Sequence, residues 1–184
     1  EIIPALHNLK NYDFKVGLQM MTGLPYDTRL KSIRTALDFV SMEPDFVRIY
    51  PTLVVKGSSL EDQFLKGKYE PLPLHDAIEW VRDIKIIFER HGINIIRTGL
   101  QAQEGFDEGK DLIAGPYHPA FGELAEGAIY RAWMYDIIES LVGEHKNISD
   151  TNIIFRVHPY RLSQAIGQKR SNIVYLNNSF PKYK

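Results

Sequence analysis

The 184-residue sequence predicts an α/β protein built on a parallel sheet. Three observations predict it. Runs at 14–22, 46–50 and 93–100 are rich in strand-forming residues and bounded by glycine or proline. Two long amphipathic patterns separate these runs. The connections are long enough for parallel crossovers, which take about a dozen residues or more.

The stretch Asp45–Gly57 is the centre of this pattern. Val47, Ile49, Leu53, Val54 and Val55 are strand formers, with Pro44 in front and Gly57 behind. Tyr50-Pro51 stands where the strand should leave the sheet, because proline cannot donate to a ladder. In βαβ arrays the C-terminal strand ends hold ligands, so Tyr50 and Pro51 are expected at such an end.

Taken in order, Ile2 to Leu9 reads as the end of a helix leading straight into the first strand. The near-continuous apolar character of 14–22 suits a sheet covered on both faces. Gly23 to Asp27 is a turn. Asp27 or Thr28 caps a helix with an apolar stripe of Leu30, Ile33, Leu37 and Val40, ended by Pro44. After the central strand, Gly57-Ser58-Ser59 caps a short helix over 60–65. Gly67 stops it, and Pro71 and Pro73 keep the chain extended. A long helix over 74–91 buries Ala77, Ile78, Val81, Ile84 and Phe88, with His91-Gly92 as its stop. Residues 101–119 read as a mobile, polar, glycine-rich loop. A helix over 121–141 follows, with Leu124, Met134, Ile137, Ile138 and Leu141 inside. The end of the chain reads as a strand over 152–157, a helix over 160–166, a turn at 167–170 and a helix from Ser171. Three strands leave sheet edges open. Either further strands are missing or the long connections cover an edge.

Net charge is −1 and names no partner, but its distribution is uneven. From Arg156 onward there are six basic residues and no acidic one, whereas the rest carries 16 basic against 23 acidic. A basic tail on an acidic body suits a polyanionic partner. The chain has no cysteine, so disulfides, thiolate metal sites and cysteine nucleophiles are excluded within it. No apolar run spans a membrane and no signal peptide is visible. The sequence begins at Glu1 without methionine, as a piece of a longer protein would.

Several residues invite chemistry. The turn Gly23–Thr28 opens a helix after an apolar strand, so its peptide groups suit a polar or anionic ligand or merely make a tight capped turn. Gln19 is a polar residue within that strand, where an unpaired buried amide would cost ~1–3 kcal/mol. His118 and Glu123 lie where a loop opens a helix; capping is the simpler reading and acid–base work the other. His75 and His91 read as capping or solvated, with no second ligand at i+3 or i+4. Ile166-Gly-Gln-Lys-Arg-Ser-Asn-Ile173 has the spacing of the KH nucleic-acid loop, Ile-Gly-x-x-Gly-x-x-Ile, with Arg170 in place of the second glycine. Arg161, Lys169 and Arg170 are then candidate phosphate contacts. A basic helix–turn–helix that packs on the body is the equal alternative.

Two motifs carry a family resemblance. Gly17-Leu-Gln-Met-Met-Thr-Gly-Leu-Pro-Tyr-Asp-Thr28 resembles the fifth barrel strand and following turn of radical SAM enzymes, with the Gly-Leu-Pro turn of the oxygen-independent coproporphyrinogen III oxidase and Elongator groups. Pro44-Asp-Phe-Val-Arg-Ile-Tyr-Pro-Thr-Leu-Val-Val-Lys-Gly57, continuing to Pro71, is similar to the sixth strand and Lys/Gly/Tyr loop of the Elongator catalytic subunit.

The resemblance covers about 14–100. It implies the second half of a partial (β/α) barrel over 1–100, then a loop and packing helix over 101–145 and a basic KH-like tail over 146–184. It also implies S-adenosylmethionine bound on an iron–sulfur cluster, which cleaves to a 5′-deoxyadenosyl radical. The cluster needs three cysteines from the absent first half, so the chain alone is expected to hold no cofactor and to be inactive.

Carried over by position, Gln19 takes a nucleoside-contacting place where the coproporphyrinogen oxidase group has an acid. Met21 to Gly23 pass near the adenine, and Tyr50 and Pro51 line it. Arg97 and Gln101 resemble a polar pair at the mouth, with a substrate role. The expected partners are the missing N-terminal half of the barrel, RNA through the tail, and a second copy through open sheet edges. The expected setting is a cytoplasmic, tRNA-modifying oxidoreductase, with an RNA-binding α/β module as the alternative.

Overall fold

The structure is a computed structural model and describes residues 2–100, 110–144 and 152–182. It divides into two compact units, 1–122 and 123–184. The first holds helices α1 (Ile2–Asn11), α2 (Arg29–Ser41), α3 (Ser59–Leu65) and α4 (Leu74–Arg90). Its strands are β1 (Gly17–Thr22), β2 (Phe46–Pro51), β3 (Val54–Val55), β4 (Asn94–Thr98) and β5 (Leu112–Ala114). Helix α5 (Phe121–Glu144) begins at its edge, and the second unit adds α6 (Leu162–Ile166) and α7 (Ser171–Ser179).

Strands β1, β2 and β4 form a parallel sheet in sequential order. A right-handed crossover between consecutive neighbours returns each helix to the same face. Accordingly α2 and α4 pack on each other and on that one face. Met20, Val47 and Ile49 of the sheet meet Ala36, Phe39, Ala77, Val81, Ile84 and Phe88 in the core. Burying each large side chain there contributes roughly 1.5–3 kcal/mol. Asp45 ties β1 to β2 at their N-terminal ends: its Oδ2 accepts from Val16 N–H at 2.6 Å, and its own N–H donates to Val16 O at 2.9 Å. Arg29 Nε donates to Asp83 Oδ2 at 2.7 Å, joining α2 to α4.

Among the described residues the opposite sheet face is uncovered along β1. Gly17, Gln19, Met21 and Arg48 lie on it, and all four are exposed. The expectation of a sheet covered on both faces fails for β1, which alternates between open and covered residues. Among the described residues both β1 and β4 are free edges of this sheet. In the described parts of the connections, β3 and β5 instead form a separate antiparallel pair, Val54 with Ala114 and Val55 with Leu112.

Helix α2 is rotated from its predicted stripe. Ser32, Ala36 and Phe39 are buried, while Leu30 is 59% and Leu37 47% exposed. The small Ser32 and Ala36 let the helix approach closely, and the Asp27–Ser32 hydrogen bond sets its first turn. Helix α4 follows its predicted stripe, with Ile78 half-buried and Lys85 added to the buried residues.

In the second unit, Met134 and Ile138 of α5 pack with Leu176 of α7, with Ile153 and Phe155 laid against them. Ile137 and Leu141 are exposed, contrary to expectation, because α7 and the 152–157 segment cover only one side of the helix. The segment 152–157 forms no strand and pairs with none among the described residues. Its β-branched residues favour an extended backbone, but strand pairing also needs a partner edge.

Candidate functional site

Two places collect the expected residues: the C-terminal half of the open sheet face, and the loop between α6 and α7.

On the sheet, register decides which side chains stand together. Gln19 pairs with Arg48, and Met21 with Tyr50. Val47 and Ile49 are fully buried, so Arg48 between them points to the open face, as does Tyr50. Phe46 lies below. Its ring sits where a Cβ on Gly17 would be, 2.0 Å from that position, so only glycine allows the ring to close the lower end of the face. Pro51, in register with Thr22, belongs to the helix-packed side and is buried. Of the expected nucleoside-contacting residues, Gln19, Met21 and Tyr50 thus share one face, whereas Pro51 offers only backbone.

Gly23 begins the turn after β1, at φ 78°. Its N–H donates to Asp27 Oδ2 at 2.9 Å; Ser32 Oγ donates to the same oxygen at 2.7 Å, and Thr28 N–H to Asp27 Oδ1 at 2.8 Å. The chain's own carboxylate therefore fills the place an anion would take in this turn. Thr28 is the helix cap, its side chain accepting from Lys31 N–H. Gly23 O accepts from the buried Tyr69 hydroxyl at 2.6 Å. Burial first, and the Asp27 charge second, raise the Tyr69 pKa. Beside the free edge of β1 lies a groove of about 520 Å³, walled by Gln19, Met21, Tyr26, Asp27 and Lys31.

Arg97 reaches the open face through an irregularity. The register runs Val47 to Ile95 and then Arg48 to Arg97, so Ile96 is an extra residue in β4. Bulges of this kind re-aim side chains. Without it Arg97 would share the parity of Ile95 and face the helices. With it, Gln19, Arg48 and Arg97 form one row across three strands. Gln101 lies outside the described residues. Arg48 is a member of this row that the motifs do not single out; its signal in the sequence is a charge standing between two apolar residues of an inner strand.

His118 serves as a cap, its Nδ1 accepting from Ala120 N–H at 3.0 Å and its carbonyl from Phe121 N–H at 3.0 Å. His91 Nδ1 lies 2.8 Å from Ile87 O at the C-terminal end of α4. Among the described residues no cluster of His, Asp and Glu has the form of a metal site.

In the second unit, Lys169 and Arg170 are exposed and both take left-handed backbone, φ 51° and 63°. Such backbone costs a non-glycine residue roughly 1–2 kcal/mol. The buried Asn172 holds the loop, its Nδ2 within 2.8 Å of Gly127 O and 3.1 Å of both Gln164 O and Ala165 O. Arg161 is exposed in the turn before α6. The helix–turn–helix frame of the KH-like reading is present, but no strand joins it among the described residues.

Comparison with known proteins points to one family. Residues 44–131 match the Radical_SAM C-terminal domain family. The chain is 30% identical over 93 residues to tRNA uridine(34) acetyltransferase of Methanocaldococcus jannaschii, covering 49% of this chain and 17% of that protein. It is 33% identical over 90 residues to the enzyme of that name from Dehalococcoides mccartyi, covering 47% and 20%. With Elongator complex protein 3 of Mus musculus it is 32% identical over 83 residues, covering 44% and 15%. The matched stretch is thus about half of this chain and a fifth or less of each relative. Residues 44–131 are thus similar to the Radical_SAM C-terminal domain family, and about half of the chain is similar to tRNA uridine(34) acetyltransferases and Elongator complex protein 3.

Proposed function

We propose that the chain is the second half of a partial (β/α) barrel in a radical SAM enzyme that modifies tRNA. The observation that carries this is the one-sided sheet. Sequential parallel strands with both helices on one face leave the other face and the β1 edge open, as a barrel lacking its first strands would. The names of the relatives support RNA as the substrate class. Leu30 and Leu37, exposed on α2, would meet the preceding helix of the missing half.

S-adenosylmethionine would lie against the open side of β1, where Gln19 and Met21 border the groove. Gln19 and Met21 would hold its nucleoside, with Tyr50 and the Pro51 backbone beside them. Met21 supplies apolar contact and Gln19 a two-way hydrogen-bonding edge. The turn at Gly23 shapes the groove, but the Gly23 N–H is taken by Asp27. The iron–sulfur cluster does not fit this chain, which without cysteine has no thiolate to offer the irons. Its ligands would come from the first half of the barrel. Alone, the chain would be inactive, and its open edges would favour pairing with a second copy. No helix among the described residues is long and apolar enough to cross a membrane, and a tRNA-modifying role would place the parent in the cytoplasm with its RNA.

The test is the reading frame upstream of Glu1. It should encode Cys-x-x-x-Cys-x-x-Cys; a frame without it refutes radical chemistry.

A second reading is favoured by the exposed, left-handed Lys169-Arg170 loop in an acid-free segment: direct RNA binding by the tail, with Arg161 beside it. Replacing both loop cations by alanine should weaken RNA binding and flatten its salt dependence. No binding at low salt removes this reading.

A further inference from the structure

The open sheet face holds an arrangement that the cofactor reading does not use. Arg48 and Arg97 are register partners on neighbouring parallel strands, roughly 4.8 Å apart by strand spacing. Like charges placed side by side on one face destabilise a sheet. Here a bulge is spent on creating that pairing, since a regular β4 would turn Arg97 away. Among the described residues neither guanidinium has a hydrogen-bond or ion-pair partner; the ion pairs involve Arg29, Arg82 and Lys85 instead. Arg48 is exposed and Arg97 half-buried, so the pair is reachable but partly shielded from water. Phe46 closes the floor below.

We infer that Arg48 and Arg97 form a binding site for a phosphoryl group. Two planar forks side by side offer paired N–H donors to a tetrahedral anion, and the double positive charge suits a dianion better than a single carboxylate. The source of the phosphoryl group is a mononucleotide or the backbone of an RNA strand. Of the two arginines, Arg97 gains a defined ligand chemistry and Arg48 gains a role. The inference deepens the RNA-modifying reading above. Its test is separate, because phosphate binding needs neither cluster nor radical.

The experiment titrates the chain with inorganic phosphate, adenosine monophosphate and a short single-stranded RNA. Arginine Nε–H signals are followed by NMR and affinities by calorimetry. For the RNA arm the chain carries Lys169→Ala and Arg170→Ala, so the tail cannot supply the contact. Arg48→Gln and Arg97→Gln should each weaken phosphate binding by about tenfold or more, and Arg48→Lys should fall between. Without ligand, both Gln variants should melt at or above the wild-type temperature, because the repulsion is relieved. Tighter binding of the mononucleotide than of RNA supports the first source, and the reverse supports the second. The site is overturned if none of the three ligands shifts either arginine signal or if the Gln variants bind as wild type. A melting temperature lowered by both Gln variants also overturns it, since the arginines would then be structural. An upstream frame without the cysteine motif would sink the radical reading while leaving phosphate binding intact.

Discussion

Replacing Asp27 by alanine should cost about 3 kcal/mol of the stability of the sheet-bearing unit. Its carboxylate accepts three hydrogen bonds, from Gly23 N–H at 2.9 Å, Thr28 N–H at 2.8 Å and Ser32 Oγ at 2.7 Å. Hydrogen bonds to a charged group contribute ~1.5–3 kcal/mol each when buried. Asp27 is half-buried and partly solvated, which lowers the figure to roughly 1 kcal/mol each. The loss also frees the first turn of α2, where Ser32 sits on the buried face. Asp27→Asn keeps one acceptor and should lose about half as much. The assay is urea unfolding followed by Trp80 fluorescence in a Trp133→Phe background, because Trp80 lies on α4 within the same unit. A loss below about 0.5 kcal/mol for Asp27→Ala would refute the reasoning. The turn's donors would then be satisfied by water, and the groove wall would not depend on the carboxylate.

Thr22 and Thr52 are buried with hydroxyls that have no partner among the described residues, so Thr22→Val and Thr52→Val should be neutral or stabilising by up to about 1 kcal/mol in thermal melts; a loss above that would mean that a bound polar group uses them. Lys169→Gly and Arg170→Gly should each stabilise the second unit by roughly 0.5–1 kcal/mol, since glycine accepts φ near 60° freely. If the tail binds RNA, the same changes weaken that binding, and a stability gain with unchanged RNA affinity removes the tail from the interface. Tyr69 has a pKa raised above the ordinary 10.0 by burial and then by Asp27. The unfolded chain therefore releases that proton first, and the stability from Tyr69 is full below pH 10 and lost as pH rises through the folded value. Tyr69→Phe should flatten the alkaline stability profile, and an unchanged slope above about pH 10 would contradict the assignment.

Parts of the fold were legible because they depend on local chemistry. Helix α4 keeps the spacing of Ala77, Val81, Ile84 and Phe88 with little competition, so its buried face follows the pattern. The stop at His91-Gly92, the Thr28 and Ser58 caps and the turn at Gly23 are short-range features that the sequence carries directly. Helix α2 was not legible in the same way. Its bulkiest aliphatic residues, Leu30 and Leu37, lie outside, because close packing on the sheet and α4 selected small Ser32 and Ala36. Strand β5 was missed since three residues in a glycine-rich loop carry too little pattern, and only pairing with β3 defines them. The reverse error at 152–157 has the same cause: strand-forming residues that meet no partner edge among the described residues form no strand.

By itself the sequence determined the alternation of strands and helices, the acid-free basic tail, the lack of any thiolate ligand, and the two motifs shared with the Elongator-like proteins. Residues 17–28 and 44–57 were enough to place β1 and β2. The tertiary structure alone decided which side chains meet. Register put Gln19 beside Arg48 and Met21 beside Tyr50. One extra residue in β4 turned Arg97 onto the same face. A single-residue slip inverts every side chain of a strand, and the slip is set by hydrogen bonding to a neighbour distant in sequence. No local pattern in 93–100 encodes it, so the arginine pair exists only once β2 and β4 lie side by side.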